Sequence, residues 1–285
     1  MYISRPRSKY FLPVILFLIW PFAATVLALK NHRTVWAKNL FWLFCIFFGF
    51  VFIIPNEGPD AARYFKWFQD LYGTNVSVGQ FTNYLYSQTT GYVDIYQPLV
   101  TYFVSRFTNN SHILFALFGL VYGFFYSRNI WSLLDRIRVG ESWITIIIVL
   151  AFGLLMPIWN INGVRFWTAA QVFLYGVLAY ILNNDKRKVW ISFLAVFVHF
   201  SFFLPLLVIV IYLIAGNRPN LYFSIFIVSI FIRELDLNLI KDFIRNLPVI
   251  FQNKGELYLN EGSIEEGHKL LNATNWYVKY YSRIL

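Results

Sequence analysis

Residues 164–182 read VRFWTAAQVFLYGVLAYIL, and Arg165 is the only charged side chain among them. A helix needs about 20 mainly apolar residues to cross the hydrocarbon core of a bilayer. This stretch therefore predicts a membrane-spanning helix that carries an arginine at one end.

The composition of the whole chain agrees with a membrane protein. Of its 285 residues, 58% are hydrophobic and 13% are charged, whereas a water-soluble domain carries about 25% charged residues. The low counts of glycine, proline and cysteine exclude collagen-like, disordered and disulfide-rich secreted proteins. Cys45, the only cysteine, lies in an apolar run and is predicted to be a small packing residue.

Further apolar runs bring the predicted number of crossings to about seven to nine. They are residues 10–29, 37–54, 98–126, 143–159, 189–215 and 221–232. The first run lacks a signal-peptide cleavage site and is expected to be an anchor. Pro205 predicts a kink or a break within 189–215. Residues 1–232 are thus expected to form one all-α, polytopic transmembrane domain, with 233–285 as a polar loop or cap.

The net charge of +10 lies entirely in residues 1–232, since 233–285 hold seven basic and seven acidic side chains. Basic residues beside transmembrane helices keep loops in the cytoplasm and contact anionic lipids. The excess therefore predicts membrane lipids as partners and no nucleic acid. The basic loops 127–142 and 183–188 are expected in the cytoplasm, which places residues 55–97 and 160–163 outside. Basic residues flank the first apolar run on both sides, so the direction in which it crosses the membrane stays open.

Polar side chains near three of the predicted spans are candidates for function, because ionisable groups at membrane depth cost a few kcal/mol. The first set is Asp60, Arg63, Tyr64 and Trp67, which share one face of a helix at this spacing. A short amphipathic helix along the outer surface is predicted. The alternative is that Asp60 only caps this helix and pairs with Arg63.

The second set surrounds Arg165, with Asn162 before it and Gln171 after it. A guanidinium binds phosphate through two parallel hydrogen bonds; alternatively, Arg165 extends to lipid phosphates. The third candidate is His199, about 15 Å along the helix from the basic loop. Imidazole suits proton transfer near neutral pH, although a lone histidine in an apolar helix is often a packing residue.

The sequence carries no metal-binding signature, no phosphate-binding glycine loop and no serine nucleophile elbow. No metal and no cofactor are therefore expected. An ATP-driven transporter and an intramembrane serine protease are disfavoured.

Four short motifs between residues 55 and 215 together resemble the Wzy/EpsG type of polysaccharide repeat-unit polymerase. They are D-x-x-R-Y (Asp60, Arg63, Tyr64), an acidic-aromatic-proline element (Asp94, Tyr96, Pro98), N-x-x-R (Asn162, Arg165) and H-x-S (His199, Ser201). The resemblance implies further spans after the outer loop, so 233–285 is expected to be a shortened end of the family fold.

The resemblance implies a metal-independent glycosyltransferase of the bacterial cytoplasmic membrane with an outward-facing site. Its substrate would be a polyprenyl-pyrophosphate-linked oligosaccharide, and its product O-antigen, capsule or exopolysaccharide. A repeat-unit flippase and a chain-length regulator are the implied protein partners. Two alternatives stay open: a glycosyltransferase that adds single sugars, and a transporter or flippase for the same lipid-linked unit.

The expected roles follow from this chemistry. Arg165 would bind the pyrophosphate with Arg63 as a second cation, and Asp60 would accept the proton, with His199 as its rival. The remaining expected substrate contacts are the aromatic residues Tyr64, Trp67 and Tyr96, which would stack on sugar faces, and the polar residues Asp94, Asn162, Gln171 and Ser201. A single site requires Asp60, Arg63, Arg165 and His199 to converge on one cavity.

Overall fold

A computed structural model describes residues 11–54, 60–74, 76–85, 94–136 and 158–232, together with the isolated positions 147, 151 and 246. Every regular element in these ranges is helical. The α-helices are α1 (Phe11–Ile19), α2 (Pro21–Lys30), α3 (Val35–Phe50), α4 (Asp60–Gly73), α5 (Val78–Leu85), α6 (Tyr96–Ser105), α7 (Ser111–Leu134), α8 (Val164–Asn183), α9 (Val189–Phe193), α10 (Ala195–Val198), α11 (Phe203–Ala215) and α12 (Pro219–Ile232). Two 3-10 helices cover Ile158–Gly163 and Phe200–Phe202.

The predicted all-α fold is confirmed for the described ranges, in which no strand occurs. Helices α7, with 24 residues, and α8, with 20, are long and apolar enough to cross a bilayer. Several of the remaining helices are apolar but shorter. This set of helices is compatible with a helical membrane protein. The predicted span 143–159 and the polar segment 233–285 lie almost wholly outside the described residues.

The first apolar run and the run at 98–126 are each divided into two helices. Trp20 separates α1 from α2, and Pro21 takes the first position of α2, where its missing N–H costs no hydrogen bond. The run at 98–126 divides into α6 and α7 around Asn110, whose side chain accepts a hydrogen bond of 2.9 Å from the backbone N–H of His112. That contact is a side-chain cap for the first turn of α7.

The break within 189–215 lies at His199 and not at Pro205. His199 is extended (φ −152°, ψ 121°) and ends α10, after which Phe200–Phe202 form a 3-10 turn. Pro205 falls in the first turn of α11, and a proline is tolerated there because that N–H has no acceptor within the helix. The proline is therefore a helix-start residue, and the interruption precedes it.

Helices α3 and α7 approach each other backbone to backbone through small residues. A Cβ atom at Gly49 would overlap the backbone carbonyl of Phe115, one at Gly119 would overlap that of Cys45, and one at Gly123 would overlap the Cys45 side chain. Gly119 and Gly123 are four residues apart, the spacing by which glycines let two helices approach closely. Cys45 is fully buried here, which confirms its predicted packing role.

The chain divides into two compact units, one formed by Met1–Leu85 and Tyr92–Val210 and the other by Tyr86–Gly91 and Ile211–Leu285. In the second unit the structure describes residues 211–232. There, α11 ends at Ala215, and the next residue, Gly216, has a positive φ of 68° that glycine adopts without strain. The hydroxyl of Tyr222 donates to the carbonyl of Gly216, and its ring packs on Tyr212 with centroids 5.9 Å apart.

Within the first unit, α4 is held at both of its ends. Its buried residues Ala61, Tyr64 and Phe68 belong to one apolar cluster with Leu114 and Phe118 of α7, with Val164 of α8 and with Ile161 of the 3-10 helix before it. At its C-terminal end, the guanidinium of Arg106 donates to the carbonyls of Leu71 and of Val76 and to the Ser105 hydroxyl. A cation at this end also complements the negative pole of the helix. Helix α4 is therefore fixed against the beginning of α8.

Candidate functional site

A chain of hydrogen bonds joins charged residues from α4, α8 and the segment before α6. The guanidinium of Arg63 pairs with Oδ1 of Asp60, and the Tyr64 hydroxyl donates to Oδ2 of Asp60 at 3.2 Å. Nε of Arg165 donates to the Tyr64 hydroxyl at 2.9 Å. Nη1 of Arg165 lies 3.4 Å from Oδ2 of Asp94. The structure thus brings five of the sequence-predicted residues together, and we call them the charged cluster.

Local helix geometry explains the α4 part of the charged cluster. Asp60 lies in the first turn of α4, where a carboxylate is stabilised by the positive pole of the helix. Arg63 and Tyr64 follow three and four residues later, the spacings at which side chains meet on a helix surface. The sequence predicted one shared face for these residues. In the structure, the Tyr64 side chain is buried with Phe68, whereas the Arg63 side chain is exposed.

Tyr64 is a neutral link between a carboxylate and a cation. Burial raises the pKa of Tyr64 to about 12, with Asp60 acting in the same direction and Arg165 in the opposite one. The phenol therefore keeps its proton at neutral pH. It donates that proton to Asp60 while its oxygen accepts from Arg165.

Asp94 connects the charged cluster to the break at His199. The side chain of Asp94 is 5% exposed, and its Oδ1 accepts a hydrogen bond of 2.8 Å from the backbone N–H of Phe200. The next residue, Ile95, donates its N–H to the carbonyl of Phe197 at 2.9 Å. Together these bonds hold the end of α10 beside Arg165.

His199 is oriented by Ser201 and by Phe166. Its Nδ1 lies 3.2 Å from the backbone N–H of Ser201 and 2.7 Å from the Ser201 hydroxyl oxygen. A backbone N–H always donates, so Nδ1 carries no proton and the neutral ring is protonated on Nε2. The ring meets Phe166, the residue after Arg165, edge to face at 5.5 Å.

Gln171 lies away from the charged cluster. Its side chain is fully buried, and its Oε1 accepts a hydrogen bond of 2.7 Å from Nδ2 of Asn129. Six residues separate it from Arg165, which corresponds to about 9 Å along the axis of α8. The bond joins α7 to α8, so the contact of Gln171 in this structure is a packing contact between helices.

The other predicted substrate contacts occupy three further places. Tyr96 packs its ring on Phe118 with centroids 6.1 Å apart. Trp67 lies one turn beyond Arg63 on α4 and stacks on Tyr84. The backbone of Asn162 belongs to the 3-10 turn that precedes α8, and its side chain is outside the described atoms.

Two residues that sequence reasoning missed complete the surroundings of α4. Tyr84 forms an aromatic wall with Trp67, and Arg106 caps the end of α4. The S-x-x-Q pattern at Ser77 and Gln80 is typical of a helix start. It indicates the helix that carries Tyr84. The structure has this reciprocal cap, with Ser77 N–H to Gln80 Oε1 at 2.9 Å and Gln80 N–H to Ser77 Oγ at 3.3 Å.

The charged cluster combines groups that bind anions with groups that accept protons. Two guanidiniums offer donors of the geometry that phosphate prefers, and two carboxylates offer acceptors. In the part of the chain that the structure describes, no three His, Cys, Asp or Glu side chains lie close enough together to hold a metal ion. Compared with protein-family models, curated proteins and solved structures, the chain has no match.

Proposed function

We propose that this chain is a multi-span membrane glycosyltransferase that joins polyprenyl-pyrophosphate-linked oligosaccharide repeat units into O-antigen, capsule or exopolysaccharide. The observation that carries the proposal is the hydrogen-bonded chain from Asp60 through Tyr64 to Arg165. It joins a proton acceptor to a phosphate-binding cation at the start of a long apolar helix. The resemblance of the four sequence motifs to Wzy/EpsG-type polymerases supports the same reaction.

In the proposed reaction, a hydroxyl oxygen of one lipid-linked unit bonds to the anomeric carbon of another. The bond between that carbon and the pyrophosphate oxygen breaks, and the polyprenyl pyrophosphate departs with the bonding electrons. The hydroxyl proton passes to a carboxylate of the enzyme. The protein must therefore supply a base and a cation for the leaving group.

Arg165 suits the pyrophosphate because its present ion pair is loose. A charge-assisted N–H···O bond is commonly about 2.7–2.9 Å long, and the Arg165–Asp94 separation is 3.4 Å. An incoming phosphate oxygen can replace Asp94 at Nη1 while Tyr64 keeps Nε in place. Arg63, with 74% of its side chain exposed, is the proposed second cation.

Asp60 suits the base role better than Asp94 or His199. Its side chain is 31% exposed, against 5% for Asp94, so a substrate hydroxyl reaches it more easily. His199 in its neutral form holds its proton on Nε2 while Nδ1 is occupied by Ser201. That arrangement leaves His199 less suited than Asp60 to accept the hydroxyl proton.

The proposed topology follows from the charges at the two ends of α8. The loop after α8 carries Lys186, Arg187 and Lys188 and is proposed to face the cytoplasm. The Arg165 end of α8 then faces outward, with α4 along the outer surface of the cytoplasmic membrane. The proposed partners are the lipid-linked oligosaccharide, membrane lipids, a repeat-unit flippase and a chain-length regulator.

The test replaces Arg165 in the native host after deletion of the chromosomal copy. With Arg165→Ala we expect loss of the polymer ladder on a gel, and with Arg165→Lys a reduced ladder, because lysine keeps the charge but not the two parallel bonds. Arg187→Ala, in the exposed loop, is the matched control. Full-length polymer from Arg165→Ala at normal protein level contradicts the proposal.

Purified protein with lipid-linked substrate separates the alternatives. A polymerase gives a ladder of products. A single added sugar identifies a glycosyltransferase of the other kind, and an absence of any new glycosidic bond, together with movement of the substrate across vesicles, identifies a flippase. Either result contradicts the polymerase proposal.

A further inference from the structure

A cavity of about 260 Å³ lies beside the C-terminal half of α4 and beside α5, away from the charged cluster. Its lining includes Trp67 and Leu71 of α4, Phe81 and Tyr84 of α5, and Thr74 between the two helices. Sites for drug-sized ligands commonly measure about 300–1,000 Å³. The size of this cavity therefore suits a single ring.

Aromatic rings line one side of the cavity. The rings of Trp67 and Tyr84 lie 29° from parallel with centroids 6.1 Å apart. Phe81 is buried and stacks on Tyr102 at 4.1 Å, and the Tyr102 hydroxyl donates to the carbonyl of Val76 at 3.0 Å. The stacking and this hydrogen bond hold the aromatic surfaces in position.

The rim of the cavity carries hydrogen-bond acceptors. Asp70 lines it with an exposed carboxylate, a group that only accepts when ionised. The hydroxyl of Thr74 donates to the backbone carbonyl of Asp70 at 2.8 Å, which leaves the lone pairs of its oxygen toward other donors. A ligand for this rim must bring hydrogen-bond donors of its own.

We propose that this cavity binds one pyranose ring of a glycan. One face of a pyranose presents C–H groups of slight positive charge, which are attracted to the negative face of an aromatic ring. Its hydroxyl groups project around the edge, where Asp70 and Thr74 accept them. A prenyl chain fits the aromatic wall but leaves the carboxylate without a donor.

The position of the cavity on α4 relates it to the charged cluster. Asp60 and Trp67 are seven residues apart on one helix, which is about 10 Å along the axis. A sugar in the cavity is therefore close enough to belong to the same oligosaccharide as a unit that reacts at Asp60. This last step rests on the proposed function, whereas sugar binding itself does not.

The experiment is saturation-transfer NMR on the full chain in detergent, with the methyl α- and β-pyranosides of glucose, galactose and N-acetylglucosamine as probes. We expect transfer to the C–H protons on one face of at least one probe. Trp67→Leu and Tyr84→Leu should each weaken binding about tenfold, because they remove the central aromatic surface. Trp67→Phe should retain most of the binding.

The matched control is Tyr72→Leu, since Tyr72 lies on the same helix, is 49% exposed and does not line the cavity. Unchanged transfer in both Trp67→Leu and Tyr84→Leu, or no transfer in the wild type, overturns the proposal. The proposal is also overturned if the Trp67→Leu variant loses the transfer signal of farnesyl phosphate but keeps that of every glycoside. Melting temperatures of all variants exclude loss of the fold as the cause.

The same assay on Arg165→Ala distinguishes this proposal from the enzymatic one. We expect that variant to bind the glycosides normally while it loses polymer synthesis. Normal polymer from Arg165→Ala together with tenfold weaker glycoside binding in Trp67→Leu would refute the reaction and keep the sugar site.

Discussion

Tyr64 and Arg165 are joined by a hydrogen bond of 2.9 Å although 101 residues separate them in the chain. The guanidinium carbon of Arg165 also lies 5.6 Å from the centre of the Tyr64 ring, within reach of a cation–π interaction. The two contacts attach helix α4 to the first turn of α8. They make Tyr64 the residue that links Asp60 to Arg165.

Replacing Tyr64 by phenylalanine tests that link. Tyr64→Phe removes the hydroxyl but keeps the packed ring, so we expect a loss of stability of only about 0.5–1.5 kcal/mol. Polymer synthesis should fall at least about tenfold, because Arg165 and Asp60 lose their shared partner. Gel ladders and melting temperatures measure the two effects. Tyr72→Phe on the same helix is the control, and a wild-type ladder from Tyr64→Phe refutes the link.

The midpoints of the pH–activity profile should not depend on Tyr64. Its pKa of about 12 means that the phenol is neutral on both sides of neutrality, and it begins to ionise only well above the pKa of about 10 of an ordinary tyrosine. Tyr64→Phe should therefore lower the activity without moving its midpoints between about pH 6 and pH 9. A midpoint that disappears in this variant would mean that the Tyr64 phenol titrates during the reaction.

Paired substitutions distinguish Asp60 from His199 as the base. Asp60→Asn removes the basic oxygen and should lower turnover by about 100-fold or more. His199→Gln keeps a donor and an acceptor, so we expect its turnover to stay within about tenfold of the wild type. Turnover is measured on purified lipid-linked substrate, with Asp185→Asn in the loop after α8 as the control. The reverse order of effects would assign the base role to His199.

Asp94 contacts both the backbone N–H of Phe200 and Arg165, and two variants distinguish the contributions of these contacts. Asp94→Asn keeps an oxygen for the N–H of Phe200 but loses the charge opposite Arg165, whereas Asp94→Ala loses both. Leaving that part-buried N–H unpaired costs up to about 1–3 kcal/mol, so the alanine variant should melt at a lower temperature than the asparagine variant. Equal melting temperatures would show that the bond to Phe200 contributes little to stability.

The close contact of α3 with α7 predicts that an alanine substitution is destabilising at Gly119 of α7 but not at Gly79 of α5. Gly119→Ala places a methyl group against the carbonyl of Cys45 and should destabilise the fold by about 1–3 kcal/mol. Gly79 lies in α5, where an added Cβ atom would meet open space, so Gly79→Ala should be neutral or stabilising by up to about 1 kcal/mol. Thermal unfolding in detergent measures both, and equal effects would contradict close packing.

Local spacing predicted the part of the charged cluster that lies within one helix. The D-x-x-R-Y pattern gives the contacts of Asp60 with Arg63 and Tyr64, because these intervals are those of a helix turn. Helical spacing also separates Gln171 from Arg165, since six residues place them about 120° apart around α8. Gln171 is close to Arg165 in the sequence, but its side chain lies on a different face of α8.

Contacts between distant segments could not be predicted from local patterns. The break at His199 has no proline or glycine of its own, and Pro205 is the more obvious breaker in the sequence. The acceptor for the N–H of Phe200 comes from Asp94, 106 residues earlier. A bond of this kind replaces one that a continuous helix would make, so tertiary structure decides where this helix stops.

The burial of Cys45 has a practical consequence for topology. Because the only thiol of the chain is enclosed between α3 and α7, the native protein offers membrane-impermeant maleimides no accessible target. A cysteine introduced at Lys66 or at Lys186, both exposed, would then be the sole labelled position. Labelling of intact cells at the first position but not the second would place α4 and the loop after α8 on opposite sides of the membrane.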